Sequence, residues 1–166
     1  MNTVLTEQKL PDSSLRVAAL LSEIGHDQPI VVLPASGKTA AEAAAGLGCS
    51  VAEIAKSIVF RRLSDNAAVM VIASGSNRVD VDKVATMVGA LGKADAQFVR
   101  EKIGYAIGGV CPIGHVEKSV MLIDQDLLQY PQVWVAAGHP HAVFALTPQQ
   151  LIAMTNAPVA DIALLS

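Results

Sequence analysis

Residues 104–115, GYAIGGVCPIGH, hold four glycines, a proline, a cysteine and a histidine in twelve positions. Neither a helix interior nor a central strand tolerates that density of glycine and proline, so the segment must be a shaped loop. It is also mostly apolar, whereas a loop that only connects elements over the surface is polar. Such a loop is built to hold something, and the rest of the chain has to present it.

The flanking pattern interleaves helices and strands. After a polar arm over residues 1–13, SSLRVAALLSEIGH has helical spacing, with Ser13 or Ser14 as cap and Gly25 as stop. PIVVLP reads as a short strand, TAAEAAAGLG as a helix capped by Thr39 and stopped near Gly46 or Gly48, and VAEIA as a helical turn. KSIVFRR and AAVMVIAS are strands joined by the turn LSDN. VDVDKVATMVGAL and DAQFVREKIG are helices. Beyond the glycine loop come a strand in KSVMLID, a short helix or turn in QDLLQY, strands in VWVAAG and AVFAL, and a helix in TPQQLIAMTN with Thr147 as cap and Pro148 at its first position. Adjacent strands joined as hairpins favour a mixed α/β or α+β sheet over a purely parallel one. With 52% apolar but 4% aromatic residues, the core must be aliphatic. At 166 residues, one domain over residues 14–166 is expected.

Charge and cysteines narrow the function. A net charge of −3, with no run of like charges, is unlike a protein that wraps nucleic acid, so any such contact is local and DNA is not expected. The few basic candidates are Lys56, Arg61, Arg62 and Lys118. Cys49 and Cys111 read as reduced thiols, the first residues do not resemble a signal peptide, and no apolar run is long enough for a membrane span. A cytoplasmic protein is expected.

Several motifs are weaker than they look. SGKT at residues 36–39 ends like a phosphate-binding P-loop, but Val32 stands where that loop needs its first glycine. Cys111, His115, His139 and His141 are metal-ligand types at spacings that fit no structural zinc pattern. Cys111 with His115 or His139 as base would make a thiol hydrolase, against the plainer reading of Cys111 as a small buried hydrophobe. Lys56 opens an apolar strand: it either holds its ammonium in solvent or sets a point charge at the mouth of a cleft, suited to a phosphate.

AKSIVF with Lys56, the loop GYAIGGVCPIGH, and AAGHPHAVFALTPQQL occur in the order and at the separations of one known family. The chain resembles the YbaK, or prolyl-tRNA synthetase-associated editing domain, family over residues 14–160. Ile103 departs from the threonine that many relatives carry, and Cys111 from a serine or other small residue. The resemblance implies a curved, mixed, barrel-like β-sheet with surrounding helices. It implies a deacylase that hydrolyses the ester of a small amino acid such as Ala, Ser or Cys on mischarged tRNA, commonly tRNA(Pro). The partners are then the aminoacyl-tRNA acceptor end and a synthetase that delivers it, with no cofactor, metal or membrane.

On that reading Lys56 holds the phosphate or ribose of the terminal adenosine. Gly108 and Gly109 let the substrate approach backbone N–H groups that stabilise the developing oxyanion, and Pro112 stiffens the loop. Gly104, Tyr105, Val110, Cys111, Ile113, Gly114 and His115 complete the loop as substrate-binding residues, with Gly138 and His139 from the later strand turn. Val110, Cys111, Ile113, Gly138 and His139 are the expected pocket wall. The competing readings are a non-catalytic aminoacyl-tRNA or partner-binding module on the same fold, and a Cys/His or metal-dependent hydrolase.

Overall fold

The structure, a computed structural model, describes residues 10–34 and 39–165. Most of the polar arm and residues 36–38 of SGKT lie outside the described residues. The elements in chain order are α1 (Asp12–Glu23), β1 (Val31–Val32), α2 (Ala40–Leu47), a 3-10 turn (Val51–Glu53), β2 (Ala55–Arg62), β3 (Ala68–Ser74), α3 (Val81–Val88), β4 (Leu91–Lys93) and α4 (Ala96–Lys102). After the glycine loop come β5 (Val120–Asp124), a second 3-10 turn (Gln125–Gln129), β6 (Val133–His139), β7 (Ala142–Leu146), α5 (Pro148–Thr155) and β8 (Val159–Ala160).

Local chemistry explains the boundaries. Thr39 caps α2 in a reciprocal box with Glu42, and Thr147 caps α5 with Gln150, so two orphan amide donors are satisfied at each helix start. Asp80 and Asp95 cap α3 and α4 through their carboxylates. The serines expected to cap α1 do not. That helix begins after Pro11, whose carbonyl accepts from the Ser14 and Leu15 amides, and Ser14 lies buried within the first turn. The helix expected to continue through Leu91 ends at Val88, because Gly89 takes a positive φ of 102°, open to glycine, and turns the chain into β4. PIVVLP pairs at Val31 and Val32 alone, which fits its flanking prolines, since a proline has no N–H to donate to a ladder.

Two sheets result. The larger has the order β4-β2-β3-β5-β8, with β2 antiparallel to β3 and β4, and β5 parallel to β3 and β8. The smaller is antiparallel, β1-β7-β6. This is the mixed α+β class expected, although the sheets are not closed into a barrel. They meet where Ile54 bridges Trp134 and where β2 packs on β6.

β3 is buried along its whole length. Met70 and Ile72 face a cluster with Leu127 and Phe144, while Val69 and Val71 face Val84 and Ile162. A strand covered on both faces reads as an unbroken apolar run, which is what AAVMVIAS is. The neighbouring β2 is only half-buried from Lys56 onward, and that open flank carries the cavity described next. Among the described residues no helix is long and apolar enough to cross a membrane.

Candidate active site

A cavity of about 290 Å³ opens between the start of β2, the N-terminal end of α2, β6 and the glycine loop. Ala55, Lys56, Ser57 and Ile58 form one side, and Ile107, Gly108 and Val110 face them. Its floor is apolar, from Leu33, Ala43, Ile54, Trp134 and Val143. Among the described residues Lys56 is the one charged side chain of the lining, and no carboxylate enters it.

Lys56 is placed by strand register: it lies opposite Ala73, one position before the end of β3. Partial burial pushes its pKa below that of an ordinary lysine, the Arg78 guanidinium lowers it further, and the Asp124 carboxylate opposes both. Asp124 is fully buried, accepts from the Ser74 and Asp126 amides and from Asn77 Nδ2, and so ties the ends of β3 and β5 together. The turn from Ser74 to Arg78 is fixed by these bonds and by the Leu164 amide donating to the Arg78 carbonyl. Among the described residues neither Lys56 nor Arg78 forms an ion pair. The influence of Arg78 on Lys56 was not legible, because a lone arginine in a polar turn carries no signal in one sequence.

The glycine loop has two faces, and only one meets the cavity. On the inner face the Tyr105 hydroxyl donates to the Ile113 carbonyl (2.8 Å), the ring is 1% exposed, and the Arg16 guanidinium lies 4.4 Å above it. Burial is the chief reason the tyrosine pKa is pushed up to about 12. His115 Nε2–H donates to the Cys111 carbonyl (2.7 Å), which leaves Nδ1 to accept from the Ser119 hydroxyl (2.9 Å). Burial lowers the pKa of this imidazole and favours that neutral, strut-like form. The Gly104 carbonyl accepts from Arg16, Gly114 sits against Leu20 and the Tyr105 hydroxyl, and Pro112 is buried. None of Gly104, Tyr105, Cys111, Pro112, Ile113, Gly114 or His115 lines the cavity.

Two glycines are required for different reasons. Gly108 has φ +89°, and a Cβ there would meet only Pro140 at 3.6 Å, so its need is conformational. Gly109 is buried against the end of β6, where a Cβ would stand 2.7 Å from the Cα and carbonyl carbon of His139. Its N–H donates to the Ala106 carbonyl (3.0 Å) and is therefore committed. Ile107, Gly108 and Val110 line the cavity, and their N–H groups have no hydrogen-bond partner among the described residues.

The expected pocket wall is thus redrawn. Val110 is part of it. Cys111 is 0% exposed and its thiol pKa is pushed up to about 12 by burial, so it is neither wall nor nucleophile. Gly138 packs on the Ser13 carbonyl at the start of α1. His139 Nδ1 accepts from the His141 amide (3.1 Å), and burial and His141 lower its pKa. Neither residue lines the cavity, whereas Pro140 between the two histidines does. Among the described residues no three His, Cys, Asp or Glu side chains stand close enough to hold a metal ion.

The region from β1 to α5 that builds this cavity has counterparts among known proteins. Residues 34–154 match the aminoacyl-tRNA editing domain family. The chain belongs to that family. A solved structure of a protein put forward as a trans-editing enzyme for prolyl tRNA synthetase resembles this editing domain with a TM-score of 0.89 and 43% identity, over 95% of this chain and 100% of that one. The solved structure of hypothetical protein APE2540 has a TM-score of 0.81 and 28% identity, over 90% of this chain and 99% of that one. Uncharacterized protein YwhH of Bacillus subtilis (strain 168) is 29% identical over 127 residues, which are 76% of this editing domain and 80% of its relative.

Proposed function

We propose that this editing domain is a trans-acting deacylase that releases a small, uncharged amino acid from mischarged tRNA in the cytoplasm, with tRNA(Pro) as the carrier. The observation that carries the reading is the cavity itself: about 290 Å³, apolar at its floor, with Lys56 at its side and, opposite, loop residues whose N–H groups have no partner among the described residues. An aminoacyl ester is already activated, so positioning and oxyanion stabilisation suffice without a side-chain nucleophile. The Lys56 ammonium holds the ribose or phosphate of the terminal adenosine. The N–H groups of Gly108 and Val110 face the carbonyl oxygen as it becomes anionic. Water adds to the carbonyl carbon, the bond to the ribose oxygen breaks, and that oxygen takes the proton, leaving a free amino acid and a free tRNA end.

The burial of Cys111 speaks against a thiol hydrolase. The non-catalytic alternative predicts binding without turnover. Apolar walls exclude by bulk and discriminate one methylene by only about 1–3 kcal/mol. Alanine is accordingly the leading substrate and serine its nearest rival, and a synthetase partner supplies the selectivity for tRNA that a net charge of −3 does not. The test is release of each amino acid from a panel of mischarged tRNAs by the purified protein. Alanine and serine should leave fastest, and faster release of a large aliphatic or charged residue would overturn the small-cavity assignment.

A further inference from the structure

A second cleft, of about 460 Å³, continues from the first. The two follow one another along β2: residues 54–58 line the first, and residues 57–60 the second. Ser57 and Ile58 on the strand, with Ile107, Gly108 and Val110 on the loop, line both. At about 3.3 Å per strand residue, the middles of the two cavities lie roughly 8 Å apart. The far walls of the second cleft are Phe60, Val81 and Leu91, with Lys93 exposed as its one charged lining residue among the described residues. Ile107 and Val81 are 54% and 42% exposed, so two large aliphatic side chains border an apolar cleft open to solvent. At the junction, the Ser57 hydroxyl is buried and has no hydrogen-bond partner among the described residues. A buried hydroxyl left unmatched calls for a partner from elsewhere.

We propose that this second cleft receives the terminal nucleobase of the acceptor strand, with the ribose at the Ser57–Gly108 junction and the aminoacyl group in the smaller cavity. The inference rests on the deacylase reading and adds the place of the nucleoside. The ester joins the amino acid to the ribose directly, so the base must lie within one sugar of the acyl carbon. The second cleft shares the lining that borders the ester. Its apolar walls suit the face of a base, the junction hydroxyl suits a ribose hydroxyl, and Lys93 at the rim suits the polyanionic strand that leaves it.

The experiment follows the methyl resonances of Val81, Leu91 and Ile107 while adenosine 5′-monophosphate is added to the intact protein at millimolar concentration, with ribose 5-phosphate as the control. Adenosine monophosphate should shift Val81 and Leu91, and ribose 5-phosphate should leave both unmoved. In parallel, Val81→Glu, which the first turn of α3 accepts without loss of helix, should raise KM for aminoacyl-tRNA about tenfold while kcat holds. Shifts confined to other residues, equal shifts from both compounds, or an unchanged KM in Val81→Glu would each overturn the proposal. A response of Val81 and Leu91 to a synthetase instead of the nucleotide would also overturn it. Failure to release any amino acid would refute the deacylase reading by itself, whereas the nucleotide shifts report on the cleft whether or not turnover occurs.

Discussion

Alanine at position 109 and alanine at position 108 should fail differently, although both add one methyl to the same loop. At Gly109 the new Cβ would stand 2.7 Å from the Cα and carbonyl carbon of His139, and both are backbone atoms. To reach ordinary contact the loop and the end of β6 must separate by about 0.7 Å, and packed interiors resist such a shift. Overpacking of this kind costs about 1–3 kcal/mol. The displacement is passed directly to Gly108 and Val110 on the cavity wall, and a misplacement near 1 Å reduces rate by about 10²-fold. At Gly108 the Cβ meets nothing closer than 3.6 Å, so the cost is that of a left-handed non-glycine residue, about 1–2 kcal/mol. Urea denaturation of both variants, together with single-turnover deacylation, separates the two effects. Gly109→Ala should show the larger loss of rate and a stability loss at least equal to that of Gly108→Ala. A Gly109→Ala protein with wild-type stability and rate would refute the packing argument.

Lys56→Ala should lower kcat/KM by about 10²-fold or more, roughly 2.7 kcal/mol of transition-state stabilisation, with an unchanged urea midpoint. Its pKa is lowered, so the charged form is lost as pH rises through a value below that of ordinary lysine. The ratio of wild-type to Lys56→Ala rates should hold at neutral pH and fall on that alkaline limb, while Lys56→Arg shows no such limb; a pH-independent ratio would contradict the charge's role. Cys111→Ala should keep kcat within about threefold and lose about 1–2 kcal/mol of stability, whereas a nucleophile's removal would abolish turnover. His115 and His139 have folded pKa values below 6.5, so the unfolded chain takes up protons first: stability should be full above pH 6.5 and decline as pH falls through the folded values, and His115→Gln should reduce that slope in acid-titrated denaturation curves. An identical slope in the variant would remove His115 from the account.

What could be read from the sequence was local. Thr39 with Glu42, and Thr147 with Pro148 and Gln150, carry their capping chemistry within four residues, so α2 and α5 were legible at their starts. The apolar run of β3 was legible as a strand, and the structure adds that it is buried along its whole length. β4 and β8 gave no such signal: β4 has three residues after a helix whose end turns on Gly89, and β8 has two residues held by parallel pairing to β5. Lys56 and Gly108 line one cavity. Which face of the loop meets that cavity was not readable, because a loop lacks the periodicity that sorts side chains in helices and strands. Hence Cys111, Ile113 and His115, read as binding residues, do not line this cavity, while Ile107 and Pro140, which do, were not singled out. Trp134, on the cavity floor, depends on the contact between two sheets, which no local pattern encodes.

The central claim is turnover at this cavity, and hydrolysis of alanyl-tRNA(Pro) by the purified protein tests it most directly. The rate is followed at neutral pH as free alanine released, for wild type, Lys56→Ala and buffer alone. The account predicts release by wild type well above buffer and a Lys56→Ala rate reduced about 10²-fold. Wild-type release equal to buffer, or equal release by both proteins, would contradict it.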